Sequence, residues 1–379
     1  MDVTQISGFA DFGHKEWRSL ADDRYPFFDY AFLSALERSG AVSAENGWQP
    51  AHLRCTDNGE LVAALPLYRK SHSWGEYVFD QRWAQAYAEQ GMAYYPKWLN
   101  AIPFTPCPGP RLALRQGVSP DQVVDTLCGF LADNAAAQGI SSLHCLFPER
   151  EMAEIMAARG FNIREGVQFQ WFNRGYRDFA DFLAMLSSSK RKMVKRERRR
   201  VEEQGISMLR LSGRDIGDEY WRAFYDFYAL TYLKRQSQPY LNPEFFRLLA
   251  AEIPERLLMV VALKQRQPVA AALSFVGADT LYGRYWGCYE EYSALHFEAC
   301  YYQGLEYCIE HGLQRFDSGA QGEHKIARGF EPVTTYSAHW LRDPGFAAAV
   351  ARFVARERQL IAEYKLDAAK YLPFRQSDA

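Results

Sequence analysis

Residues 281–330 read LYGRYWGCYEEYSALHFEACYYQGLEYCIEHGLQRFDSGAQGEHKIARGF. The first eight residues are dense in aromatic and small side chains and predict a strand. A helix is predicted over Phe297 to His311, with Tyr301, Leu305, Cys308 and Ile309 on one face and Gly312 at its stop. QRFDSG then predicts a second strand, which runs into a glycine-rich turn and a charged loop.

Outward from this stretch the same order repeats. Before it come helices over Glu219–Lys234 and Pro243–Ile253, then the strand–turn–strand LLMVVALKQRQPVAAALSFVG; after it, TTYSAHWL is a last strand. The first half runs in parallel: a helix from Tyr25 to Ser39, AHLRC and LVAALPLYRK joined at Asp57-Asn58-Gly59, a helix from Pro120 to Gln138, the strand SLHCLF, a helix ending at Gly160 and the strand VQFQWF. Asn and Gly tolerate the positive φ that such a tight turn needs. Residues 73–112, rich in Trp, Tyr and Pro, predict a long ordered but irregular loop. Each half therefore runs helix, hairpin, strand, helix, strand, which implies two α/β domains. At 379 residues the chain is long enough for both. The expected division is 1–186, a basic linker helix at 187–205, a second domain at 206–345 that carries the site, and a helical extension at 346–379.

The linker SSSKRKMVKRERRRVEEQG predicts a helix opened by a serine cap and closed by Gly205. Eight of the eleven residues from Lys190 to Arg200 are basic. One reading is a solvated helix in which Glu197, Glu202 and Glu203 pair along its length. The other is a phosphate-contacting patch made by Lys190, Arg191, Lys192, Lys195 and Arg196, for tRNA or a nucleotide-linked substrate.

Composition narrows the class. The formal net charge of −2 gives no global attraction to polyanions. No apolar run approaches the ~20 residues of a membrane span, and the amino terminus has no signal-peptide pattern. Seven scattered cysteines show no CxxC pair and no zinc spacing, so a cytoplasmic, metal-free protein with reduced thiols is expected. GxSxG, Walker, GxGxxG and HExxH motifs are all missing.

Transfer of an acyl group to an amine needs a base for the amine proton and donors for the oxyanion. Glu298, His296, Glu323 and His324 are the candidate bases, although a first-turn Glu298 also suits the helix dipole. Arg284, Lys325 and Arg328 are candidates to hold a phosphate or carboxylate, arginine bidentately. Tyr285, Trp286 and Tyr301 offer flat faces, and Asp317, Ser318 and Gln321 line the turn.

The segments at 71–112 (SHSWGEYVFDQRWAQAYAEQGMAYYPKWLNAIPFTPCPGPRL) and 295–332 (LHFEACYYQGLEYCIEHGLQRFDSGAQGEHKIARGFEP) resemble the FemAB-like predicted N-acyltransferases. The resemblance spans nearly the whole chain. It implies two tandem GNAT-like domains and acyl transfer. More distantly the chain is similar to the Fem aminoacyltransferases, which move an amino acid from aminoacyl-tRNA onto a peptidoglycan precursor; their strand, glycine turn and basic loop are similar to Phe316–Phe330. The usual GNAT pyrophosphate loop, Q/R-x-x-G-x-G/A, is missing, RYWGCY coming closest. The resemblance thus implies aminoacyl-tRNA or acyl-CoA as a co-substrate, no tightly bound cofactor, and a small-molecule or peptide amine as acceptor. The alternative is a non-catalytic protein of this fold that recognises a cell-wall fragment or RNA.

Overall fold

The structure, a computed structural model, describes residues 1–320 and 322–375. It divides into two compact units that are not sequential halves: Met1–Gly166 with Thr334–Glu363, and Val167–Val333 with Tyr364–Ala379.

Unit 1 holds strands β1 (Asp2–Ile6), β2 (Trp48–Pro50), β3 (His52–Asp57), β4 (Glu60–Leu65), β5 (Tyr68–Lys70), β6 (Lys97–Asn100), β7 (Ala113–Leu114) and β8 (Ser142–Leu146). One antiparallel sheet runs β1-β3-β4-β7. The β3–β4 turn forms as expected, with Asn58 at φ 50° and Gly59 at φ 82°. β2, β5 and β6 pair antiparallel, and β6 lies parallel to β8. Helices Pro120–Ala135 and Arg150–Ala157 cover this unit with Val123, Leu127, Leu131 and Met156. The segment expected to be irregular is more regular than its composition suggests. It contains the helix Gln81–Glu89, which buries Trp83 and Tyr87 four residues apart, and all of β6.

Unit 2 takes the second part of β9 (Asn162–Phe172), then β10 (Ile206–Ser212), β11 (Leu257–Lys264), β12 (Gln267–Val276), β13 (Thr280–Cys288) and β14 (Arg315–Asp317). β10 to β13 pair antiparallel in sequence order, β13 and β14 are parallel, and β14 pairs antiparallel with Gln170–Phe172 of β9. The last strand, β15 (Glu331–Leu341), returns to unit 1, where Ser337–Leu341 pairs with β8. This crossing of β9 and β15 is the physical reason that the compact units differ from the expected division at 186 and 206.

On one face of the unit 2 strands Tyr285 packs against Phe246 and Tyr228, from helices Pro243–Glu252 and Asp218–Leu233. On the other lies a helix in three parts: Leu295–Phe297, a π turn at Glu298–Tyr302, and Gln303–Glu310. Tyr301, Leu305, Cys308 and Ile309 bury one face of it, as the periodicity predicts. The basic helix forms over Ser188–Glu203 and belongs to unit 2, with Val194 and Val201 buried seven residues apart. Ser187 stands at its cap position, but its hydroxyl lies 3.4 Å from Ser189 Oγ and makes no bond to the helix backbone.

Candidate active site

The site begins where two parallel strands part. β13 and β14 stay paired only from Thr280/Arg315 to Tyr282/Asp317. Beyond that point, Leu273 of β12 faces Tyr285 and Ser274 faces Gly283, so Arg284 is an inserted residue, a β-bulge. Bulges re-aim side chains and often border active sites. Gly283 permits the close approach there: a Cβ on it would sit 3.2 Å from the Phe316 ring and 3.4 Å from Ser318 Cα.

Four of the expected residues meet at this split. Asp317 is fully buried and accepts hydrogen bonds from Gly319 N (3.0 Å) and Gln170 Nε2 (3.4 Å). Burial pushes its carboxyl up, against the Gly319 hydrogen bond and the charges of Lys325 and Arg284. Lys325 is buried and donates to Gly319 O at 2.5 Å, which closes the turn. Ser318 Oγ is shielded from solvent and has no hydrogen-bond partner among the described residues. Gln321 lies outside the described residues.

Beside the split, the π turn and the 323–328 loop assemble an aromatic and imidazole cluster. π turns are frequent at functional sites because the extra residue in the turn redirects side chains. The His296 ring lies 5.5 Å from Trp286, 5.3 Å from Tyr301 and 6.0 Å from His324, and Tyr301 Oη is hydrogen-bonded to His324 Nε2 at 2.8 Å. Burial, with the charges of His324, Lys325 and Arg328, pushes His296 down to about 4. Burial and the same two cations, Arg328 and Lys325, lower His324 as well. Both imidazoles are therefore neutral near pH 7. Tyr301 is pushed up by burial and keeps its proton.

Other expected residues are placed in structural pairs. Arg198 donates to both oxygens of Glu298 at 3.1 Å, and Gln303 donates to Oε1 at 2.7 Å. Arg328 donates to Glu197 at 2.7 and 3.2 Å, to Tyr302 Oη at 3.0 Å and to His324 O at 2.6 Å, and lies 3.5 Å over the Phe297 ring. Tyr302 also donates to Glu197. Glu323 is exposed and accepts from Tyr364 Oη. Tyr285 packs on the opposite face of β13 from Trp286.

The basic helix divides its charge. Glu197 and Arg198 turn inward to these pairs, whereas Arg199 and Glu203 pair along the helix at 3.7 Å. Lys192, Lys195 and Arg196 are exposed, Lys190 and Arg191 half-buried, and none of the five has an ion pair among the described residues. No acid stands in the first turn, so Lys190 and Arg191 there oppose the positive end of the helix dipole. Arg198, Tyr302, Phe297 and Gln303 escaped the sequence reading as site residues, and Glu197, expected to pair along the helix, pairs with Arg328 instead. The signal was the spacing of Val194 and Val201, which turns the residues midway between them toward the protein.

A family model for FemAB-like proteins of peptidoglycan biosynthesis/recognition matches residues 8–376. The chain belongs to the FemAB-like family. Among solved structures, FemX is 10% identical, with 90% of this chain and 97% of that chain covered at a TM-score of 0.52. L-PGS from Bacillus licheniformis is 12% identical, with 85% and 95% covered and a TM-score of 0.50. A tandem GNAT protein from the clavulanic acid biosynthesis pathway is 11% identical, with 90% and 99% covered and a TM-score of 0.47. No curated protein sequence matches the chain. The fold of this FemAB-like chain is two α/β units, and at these identities the structural likeness speaks to fold alone.

Proposed function

We propose that unit 2 is an N-acyltransferase centre that moves an acyl or aminoacyl group from an activated donor, aminoacyl-tRNA or acyl-CoA, to an amine. The observation that carries this reading is the pair of neutral imidazoles beside the β13–β14 split, half-buried His296 and exposed His324, with ring centres 6.0 Å apart. A neutral imidazole accepts the ammonium proton of the acceptor, and the freed amine attacks the acyl carbonyl. The C–N bond forms as the bond to the donor's oxygen or sulfur breaks; the imidazolium passes its proton to that leaving group, and the second proton shed by the amine nitrogen goes to solvent. Ser318 Oγ and Arg284 are the polar groups suited to the oxyanion and to a charged substrate group. Glu298 and Arg328 hold the π turn and the loop in place, and Asp317 and Lys325 shape the turn. Glu323, tied to Tyr364, has no step in this scheme.

The five unpaired cations of the basic helix support contact with a phosphate-bearing donor. They favour aminoacyl-tRNA over coenzyme A, as does the missing pyrophosphate loop. Among the described residues no helix is long and apolar enough to cross a membrane; the reaction is assigned to the cytoplasm.

Native purification followed by mass spectrometry and RNA sequencing tests the donor. Recovered tRNA, released by salt and lost when Lys190, Arg191, Lys192, Lys195 and Arg196 are neutralised, is the expected result. Recovered coenzyme A would instead place the chain with acyl-CoA enzymes. Salt-independent RNA binding, or RNA binding untouched by the neutralisation, would remove the basic helix from the account.

A further inference from the structure

Among the described residues, Trp74 and Phe79 are the exposed members of the Trp and Phe side chains, at 69% and 68%, and both sit in one six-residue segment of unit 1. Every other Trp and Phe described is buried or half-buried. Large apolar rings held in water mark contact surfaces when they cluster.

The segment between them is rigid. Lys97 Nζ, fully buried, donates to Glu76 at 2.7 Å and to Asp80 at 2.5 Å. Lys70 Nζ reaches Trp74 O at 3.4 Å, and Arg164 donates to Phe79 O at 2.7 Å. Gly75, at φ +82°, presses so close to the body that a Cβ would lie 2.6 Å from the Phe104 ring. The two rings are thus presented on a fixed frame, so contact costs little ordering entropy.

The charges explain the kind of partner. Taking two carboxylates and a lysine out of water is expensive, and here it keeps Glu76 and Asp80 off the outer face, while Glu357, which shares Arg164 with Phe79 O, is neutralised by that arginine at 2.7 and 2.8 Å. What faces outward is Trp74 and Phe79, with Tyr77 and Val78 half-buried between them. Arg82, in the first turn of the following helix, is exposed and has no ion pair among the described residues. Aromatic rings with no carboxylate among them, and a cation at their edge, match the headgroup zone of an anionic bilayer.

We propose that the Trp74–Phe79 strap is the element by which unit 1 docks on an anionic lipid surface. This stands apart from the chemistry assigned to unit 2 and does not rest on it.

The test is sedimentation of the full chain with vesicles of phosphatidylcholine and phosphatidylglycerol in equal parts. Wild type co-sediments, and the W74A/F79A double variant loses about a hundredfold in partitioning, about tenfold per ring. Both side chains are exposed, so this variant keeps its fold and melting temperature. R82Q weakens binding to these vesicles at low salt and matches wild type at high salt. Brominated phosphatidylcholine quenches wild-type tryptophan fluorescence, and W74F binds but escapes that quenching. The proposal is overturned if wild type stays in the supernatant, or if W74A/F79A sediments as wild type does. It is also overturned if the double variant instead turns a dimer into a monomer while vesicle binding is absent.

Discussion

Replacing Arg198 with Met removes four hydrogen bonds, two to Glu298 and two to Glu306. Glu298 is then left in the π turn with Gln303 as its remaining side-chain donor among the described residues, and its side chain is 4% exposed. Breaking a buried pair from one side costs about 3–5 kcal/mol, because the surviving charge is uncompensated. The Arg198 side chain is 26% exposed, so water screens part of the interaction and the expectation falls to about 2–4 kcal/mol. The loss has a pH signature. Burial already raises the Glu298 carboxyl above 4.5, against the pull of Arg198, and removal of Arg198 raises it further. A carboxyl raised in the folded state favours the protonated form there. Its relative stability is complete below 4.5 and is lost as pH rises through the folded value, by about 1.4 kcal/mol per unit across that window. R198M therefore recovers toward wild type as pH falls to 4.5. R198M/E298Q, which lacks the orphaned charge, is at least about 1 kcal/mol more stable than R198M at pH 8. Urea unfolding followed by circular dichroism and fluorescence, at pH 5 and pH 8, reads all three. A loss below 1 kcal/mol, or no recovery on adding E298Q, would refute the claim that Glu298 is held in a structural pair.

Three other expectations follow from particular contacts. His296 remains neutral down to about pH 4, so ¹⁵N NMR should show its imidazole titrating well below 6.5, and the acid limb of the rate profile should lie below that of an ordinary histidine; titration near 6.5 would contradict the burial argument. Lys97→Met leaves Glu76 and Asp80 facing each other without their cation and should cost unit 1 about 3–5 kcal/mol in thermal or urea unfolding, whereas an unchanged midpoint would mean the acids are not paired as described. Gly304→Ala places a Cβ 2.5 Å from the Phe316 ring and should destabilise by about 1–3 kcal/mol, which a melting curve would check.

Local chemistry was legible where it is local. The Asp57-Asn58-Gly59 turn, the buried stripe of the 295–310 helix and the strand–turn at Phe316–Gly319 follow from side-chain periodicity and permitted φ values, and the sequence carries both. The Arg284 bulge does not, because it exists only as a mismatch between β13 and its neighbour β12. Nor does the division of the chain: β9 and β15 read as ordinary strands, and nothing in them says which unit each half will join. Glu298 and Arg328 look like free functional groups in one dimension, since the residues that engage them, Arg198 and Glu197, lie 100 and 131 positions away. The neutrality of His296 likewise depends on its burial and then on the charges of His324, Lys325 and Arg328, all of which the fold brings about. The Lys97–Glu76–Asp80 group lay within a segment read as irregular, where strand β6 went unseen and with it the buried position of its lysine.

The central claim is that His296 and His324 take the acceptor's proton in an acyl transfer. The direct measurement is transfer of radiolabelled amino acids from a mixed aminoacyl-tRNA pool, and of acetyl from acetyl-CoA, to a panel of amines by wild type and by H296A/H324A. The account predicts transfer from one of these donors by wild type and a loss of about 10²–10⁴ in rate in the double variant, with unfolding midpoints alike. No transfer from either donor, or wild-type rates in H296A/H324A, would contradict it.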